Sequence, residues 1–151
     1  MSLYSIALFV HVVGALLLFA LLAVEGYNLR DATAGARLNR ILGPISLVAI
    51  LLPGLYMAAT GPGWAPWASV GLVSYVVIAA VGAYTGISVM RGRMAPSAAA
   101  ISWLARTGIA LGVVFDMTVK PGLVGSITAV VVAVAIALIA AVPTLRAVRP
   151  A

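Results

Sequence analysis

Five long stretches of almost uncharged apolar residues constrain this chain more than any other feature: Leu3 to Val24, Ile41 to Thr60, Trp67 to Met90, Ala98 to Val119 and Leu123 to Leu145. The hydrocarbon core of a bilayer takes roughly 20 apolar residues per crossing helix, so each stretch is long enough to span. The first would rise about 33 Å as a helix. Together they occupy most of the 151 residues and leave no space for a soluble domain. Only 8% of the residues are charged and 64% are hydrophobic, whereas about a quarter of a soluble domain is charged. So much apolar surface also excludes disorder. The reading is an all-α, integral membrane helical bundle, one domain over residues 1–151. Its five transmembrane helices cover about 3–24, 41–60, 67–90, 98–119 and 123–145, and its obligatory partner is the lipid bilayer.

The connections carry the charge. Tyr27 to Arg40 is a polar segment with Arg30, Asp31, Arg37 and Arg40; Gly61 to Pro66 is an uncharged turn; Arg91-Gly92-Arg93 closes the third run. Pro44 falls in the first turn of the second run, where a missing N–H costs little, and Pro53 falls inside it, where a kink is expected. Lys120-Pro121-Gly122 separates the last two runs, and Arg146, Arg149 and Pro150 follow the fifth. If the amino terminus is outside, seven basic residues (Arg30, Arg37, Arg40, Arg91, Arg93, Arg146, Arg149) fall on the inner side and Lys120 alone on the outer. That is a positive-inside bias, and it predicts the N-terminus outside and the C-terminus inside. The formal charge of +6 is therefore topology signal, and nucleic acid is not an expected partner. Met1 to Tyr4 lack the basic residues that open a signal peptide, so the first run reads as a spanning helix. Without cysteine, disulfides and thiolate chemistry are excluded.

Lipid gives helices no hydrophobic reason to associate, so small residues that admit close backbone approach matter more. Gly82 and Gly86 make such a pair on the third span, and Gly108 and Gly112 on the fourth, which predicts tight packing of these two spans or an oligomer through one of these faces. Met57, Met90, Met94 and Met117 read as gap fillers rather than metal ligands.

Ionisable residues inside a membrane are costly and mark candidate sites. His11 lies roughly 12 Å into the first span. Asp116 lies four residues before Lys120, a spacing that allows an ion pair, and falls in the same outer half as His11. Arg106 lies about ten residues inward of Asp116 and can snorkel to the inner interface beside Glu25. Two readings stay open. His11, Asp116, Lys120 and Arg106 form a polar intramembrane cluster that binds a haem, a metal or a proton; or His11 hydrogen-bonds a neighbouring helix while Asp116 and Lys120 neutralise each other. One histidine cannot give bis-histidine haem within a protomer. A metal site of His11 and one carboxylate is poor in ligands, so no metal site and no catalytic residue is assigned.

His11-Val12-Val13-Gly14 early in the first span and Met117-Thr118-Val119-Lys120-Pro121 closing the fourth resemble a group of small, uncharacterised bacterial integral membrane proteins. That group is similar to the copper-resistance D domain and to HemJ-type membrane proteins. The resemblance implies a bacterial inner (cytoplasmic) membrane, multi-pass placement, haem b as a possible cofactor with His11 as its ligand, and Lys120 as a polar partner. The expected function is that of a small non-enzymatic accessory or scaffold protein, working as a homo-oligomer or as a subunit of a larger membrane complex. The alternatives are a haem-binding or redox protein using His11 and a proton-coupled or ion transporter acting as an oligomer.

Overall fold

The computed structural model describes residues 2–27, 32–61 and 63–147. They form five helices: α1 Leu3–Tyr27, α2 Ala32–Thr60, α3 Pro66–Met90, α4 Pro96–Val119 and α5 Leu123–Ala147. Each contains a stretch long and apolar enough to cross a membrane, which makes this a multi-pass membrane bundle. Arg30, Asp31, Pro62, Arg149 and the side chain of Arg146, which figured in the reading of the connections, lie outside the described residues.

The helix ends follow from local chemistry. α3 and α4 both begin with proline, Pro66 and Pro96, whose fixed φ and missing N–H suit the first helical position. α3 ends in a Schellman arrangement: Gly92 sits at φ 64, its N–H meets the Val89 carbonyl at 2.9 Å, and the Arg93 N–H meets the Ser88 carbonyl at 2.8 Å. Such a turn needs a left-handed residue, which glycine supplies without a Cβ penalty. α4 ends at Lys120, itself left-handed, and Pro121 then prevents continuation.

One boundary differs from the sequence reading. α2 starts at Ala32 rather than near Ile41, so Pro44 is interior, and the helix is continuous through both Pro44 and Pro53. No proline interrupts 32–43, and Ala32, Ala34 and Ala36 are the strongest helix formers. The polar Arg37 and Arg40 are exposed while Ala36 is buried, so these turns form one helical face packed inward and one left polar.

Consecutive helices run antiparallel. On α1 and α2, Tyr4 lies by Gly61, Gly14 by Ala49, and Glu25 by Gly35. On α3 and α4, Gly71 lies by Met117 and Gly82 by Arg106. One end of the bundle therefore carries the ends of α1 and α3 with the starts of α2 and α4, and it holds the exposed Arg37, Arg40, Arg91 and Arg93.

The fourth span's glycines pack on a different partner from the one expected. A Cβ on Gly108 would lie 2.7 Å from the Val134 Cα, and one on Gly112 would lie 2.6 Å from the Val130 Cα. Both glycines thus seat α4 on the backbone of α5, whereas Gly82 faces the Arg106 side chain and Gly86 has open space around it. The α3–α4 contact uses a hydrogen bond instead, between the Thr85 and Ser102 hydroxyls at 2.6 Å.

Burial is inverted relative to a soluble protein. Ser46, Ser74, Thr85, Ser88, Arg106, Asp116 and Ser126 are buried, while Phe9, Leu16, Leu52, Val73 and Ile139 are exposed. Apolar surface on that scale has no place in water, and lipid accepts it. Small and hydroxyl residues inside allow close approach and interhelical hydrogen bonds.

Candidate functional site: a cleft at the arginine-bearing end

Three polar features lie inside the bundle, and the first is an ion pair. Arg106 comes from the first half of α4, where side chains lean toward the helix N-terminus, here the arginine-bearing end. Its guanidinium forks onto Glu25 near the end of α1: Nη1 donates to Oε2 at 3.0 Å, and Nη2 donates to Oε1. Nε donates to the Ser102 carbonyl one turn earlier at 3.3 Å. Arg106 is 2% exposed and Glu25 16%. A guanidinium so deep needs an anionic partner, because an isolated buried charge is far costlier than a paired one. Gly82 on α3 makes the space: a Cβ there would lie 3.2 Å from Nη1.

Trp103 reinforces this α1–α4 contact. Its indole N–H donates to the Leu22 carbonyl at 2.7 Å, and its ring covers Gly26, where any Cβ would meet ring carbons at 2.3 Å. The Leu22 carbonyl also belongs to a helix, so the indole adds a second donor to an already used oxygen.

Beside the ion pair a cleft of about 670 Å³ opens between α1, α2, α3 and α4. Glu25 and Arg106 line it, Arg40 in the third turn of α2 and Arg91 at the cap of α3 line it too, and Leu18, Leu47 and Ile78 line its deeper part. Its volume is in the range of sites for drug-sized molecules, roughly 300–1,000 Å³.

The second feature is His11. Its Nδ1 is 2.8 Å from the Ile50 carbonyl on α2. A carbonyl only accepts, so Nδ1 carries the hydrogen. The ring rests on Gly54, where a Cβ would lie 3.2 Å from Cε1. His11 lines neither the cleft nor the shallower groove formed by Val10, Ile45, Val48 and Leu52, and among the described residues no three His, Cys, Asp or Glu side chains gather as metal ligands. This setting fits a brace between α1 and α2.

The third is Asp116 on α4. It is 0% exposed, and neither carboxylate oxygen has a hydrogen-bond partner among the described residues. Lys120 does not pair with it: its ammonium stands 5.3 Å from the centre of the Trp67 ring, a cation–π contact. The α4–α5 register explains where Asp116 is. Gly108 opposes Val134 and Gly112 opposes Val130, so one further turn places Asp116 opposite Ser126, which is also fully buried. The Ser126 hydroxyl is directed to the Pro121 carbonyl at 3.5 Å.

Of the four residues read as one cluster, the structure joins none to another. His11 contacts α2, Asp116 faces α5, Lys120 sits on Trp67, and Arg106 pairs with Glu25. The last contact follows the expectation that Arg106 reaches back beside Glu25. Sequence reasoning missed the cleft, because Arg40 and Arg91 read as topology signal. A signal for its α3 wall was present: Tyr75, Ile78, Gly82, Gly86 and Met90, which line the cleft, recur at three- and four-residue spacing.

Comparison with known proteins finds no matching family model, no similar curated protein and no similar solved structure.

Proposed function

We propose that this chain is a non-enzymatic accessory protein of a bacterial inner membrane, that its arginine-bearing end faces the cytoplasm, and that its working part is the α1–α4 cleft, which binds a small ligand. The observation that carries the reading is a cavity of about 670 Å³ with a buried Glu25–Arg106 pair in its wall and two further arginines lining it. A scaffold held together by packing alone has no need of such a void, since each unfilled space costs contacts. The positive-inside bias supports the orientation.

Native mass spectrometry of protein released gently from membranes tests this. The wild type is expected to carry a non-protein adduct. Ala79→Phe, which fills the cleft from α3, is expected to lower adduct occupancy about tenfold while the helical circular dichroism is unchanged. Equal occupancy in the two proteins would refute the assignment, as would a wild type with no adduct.

Asp116 favours a second reading, proton- or ion-coupled transport, because a buried carboxyl without a partner demands an explanation and intramembrane carboxyls serve in such pathways. Asp116→Asn is then expected to reduce proton or sodium flux in proteoliposomes by about tenfold or more. Flux equal to that of empty vesicles for both proteins would remove the reading.

A further inference from the structure

We propose that the ligand of the cleft is an anionic amphiphile, its headgroup held by Arg40 and Arg91 and its hydrocarbon tail lying inward along Leu47 and Ile78. The inference rests on the reading of the cleft as a ligand site and assigns the chemistry of what it takes.

Charge is the first argument. Three arginines and one glutamate line the cleft, and the Glu25 carboxylate uses both oxygens on Arg106. Arg40 and Arg91 have no ion-pair partner among the described residues, where the Glu25–Arg106 bridge is the one salt bridge. Both are exposed at the same end of the bundle, one on α2 and one capping α3. Two arginines on facing helices offer forked donors to a carboxylate or phosphate.

Shape is the second. The lining runs along α3 from Arg91 to Tyr75, about 24 Å at the helical rise. Along that length the lining passes from arginine side chains to leucine and isoleucine, an arrangement that suits a charged headgroup followed by a hydrocarbon tail. Leu18, Leu47, Ile78 and Ala79 make the deep lining mostly apolar, with Tyr75 and with Ser46, whose hydroxyl donates to the Gly14 carbonyl, beside them, and the cation Arg106 is already neutralised. A compact hydrophilic anion would use the arginines and leave the depth empty. A neutral lipid would fill the depth and leave the arginines unmatched. A tail arriving from the bilayer leaves one hydrocarbon environment for another, so the headgroup decides which amphiphile is retained.

The test uses the purified full chain in nanodiscs, titrated with palmitate, palmitoyl lysophosphatidylglycerol, palmitoyl lysophosphatidylcholine and inorganic phosphate, with binding read by native mass spectrometry. Palmitate or the lysophosphatidylglycerol, or both, are expected to bind about tenfold more tightly than the zwitterionic lysophosphatidylcholine, and phosphate alone more weakly still. R40Q together with R91Q is expected to remove that preference. R93Q, at the same end but outside the cleft lining, is expected to change affinity by less than about twofold. Equal affinity for the zwitterionic and anionic amphiphiles would overturn the proposal, as would phosphate binding as tightly as either anionic amphiphile, or R93Q acting as strongly as the double variant. Ala79→Phe separates the two levels. If the zwitterionic amphiphile binds as tightly as the anionic ones and Ala79→Phe abolishes both, the cleft is a ligand site and the anionic class is wrong. If it affects no amphiphile, the cleft reading itself fails.

Discussion

Glu25→Ala is expected to lower the stability of the folded bundle by about 3–5 kcal/mol, the usual consequence of deleting one partner of a buried ion pair. The cost arises less from the lost attraction than from the Arg106 guanidinium left behind, 2% exposed, with the Ser102 carbonyl as its one remaining acceptor among the described residues. Glu25→Gln keeps an acceptor oxygen and is expected to cost less. The double variant Glu25→Leu with Arg106→Leu removes both charges and is expected to recover most of the loss, because replacing a buried pair with apolar residues is often close to neutral. Unfolding of the detergent-solubilised protein, followed by circular dichroism over a denaturant series, supplies the double-mutant cycle. A loss below about 1 kcal/mol for Glu25→Ala would mean that water reaches the pair, and its place as the organiser of the α1–α4 contact would be lost.

Alanine at Gly108 or Gly112 is expected to destabilise by about 1–3 kcal/mol each, the usual cost of forcing extra atoms into a filled interior. In both cases the new Cβ would meet backbone, the Cα of Val134 or of Val130, and a helix backbone cannot turn aside as a side chain can. The remedy is separation of α4 from α5, which would also loosen the wall around Asp116. Gly86→Ala is the control. It meets nothing within 4 Å and is expected to be neutral or stabilising by up to about 1 kcal/mol, since alanine suits a helix better than glycine. Equal effects at Gly86 and Gly112 would contradict the α4–α5 seam.

These two predictions mark where sequence reasoning reached and where it stopped. The number and approximate extent of the helices were legible because each needs about 20 apolar residues and each is bounded by charge, proline or glycine. The start of α2 was not, since an amphipathic extension beyond the hydrocarbon region keeps polar residues such as Arg37 and Arg40, and these resemble a loop when only hydropathy is read. Gly108 and Gly112 announced a close contact without naming the partner. A small-residue pair states that a backbone approaches, and both neighbouring helices were available to supply it. For the site, Arg106 beside Glu25 followed from side-chain reach and the cost of an unpaired charge. The cleft did not, because a void is set by the mutual tilt and spacing of four helices, and no residue pattern records that. His11 and Asp116 share a depth in the membrane, yet depth fixes only one coordinate. The direction each side chain takes around its helix sent one to α2 and the other to the α5 side.

The contact between Glu25 and Arg106 joins positions 81 residues apart, and this has a consequence for biogenesis. A chain emerging from the ribosome presents its first segment, carboxylate included, long before the guanidinium that neutralises it has been synthesised. Until α4 enters the bilayer, that carboxylate stays at the water-facing border or is shielded by the insertion machinery. Integration of the first and fourth segments is therefore expected to be coupled, since a chain truncated ahead of α4 would keep an unmet carboxylate.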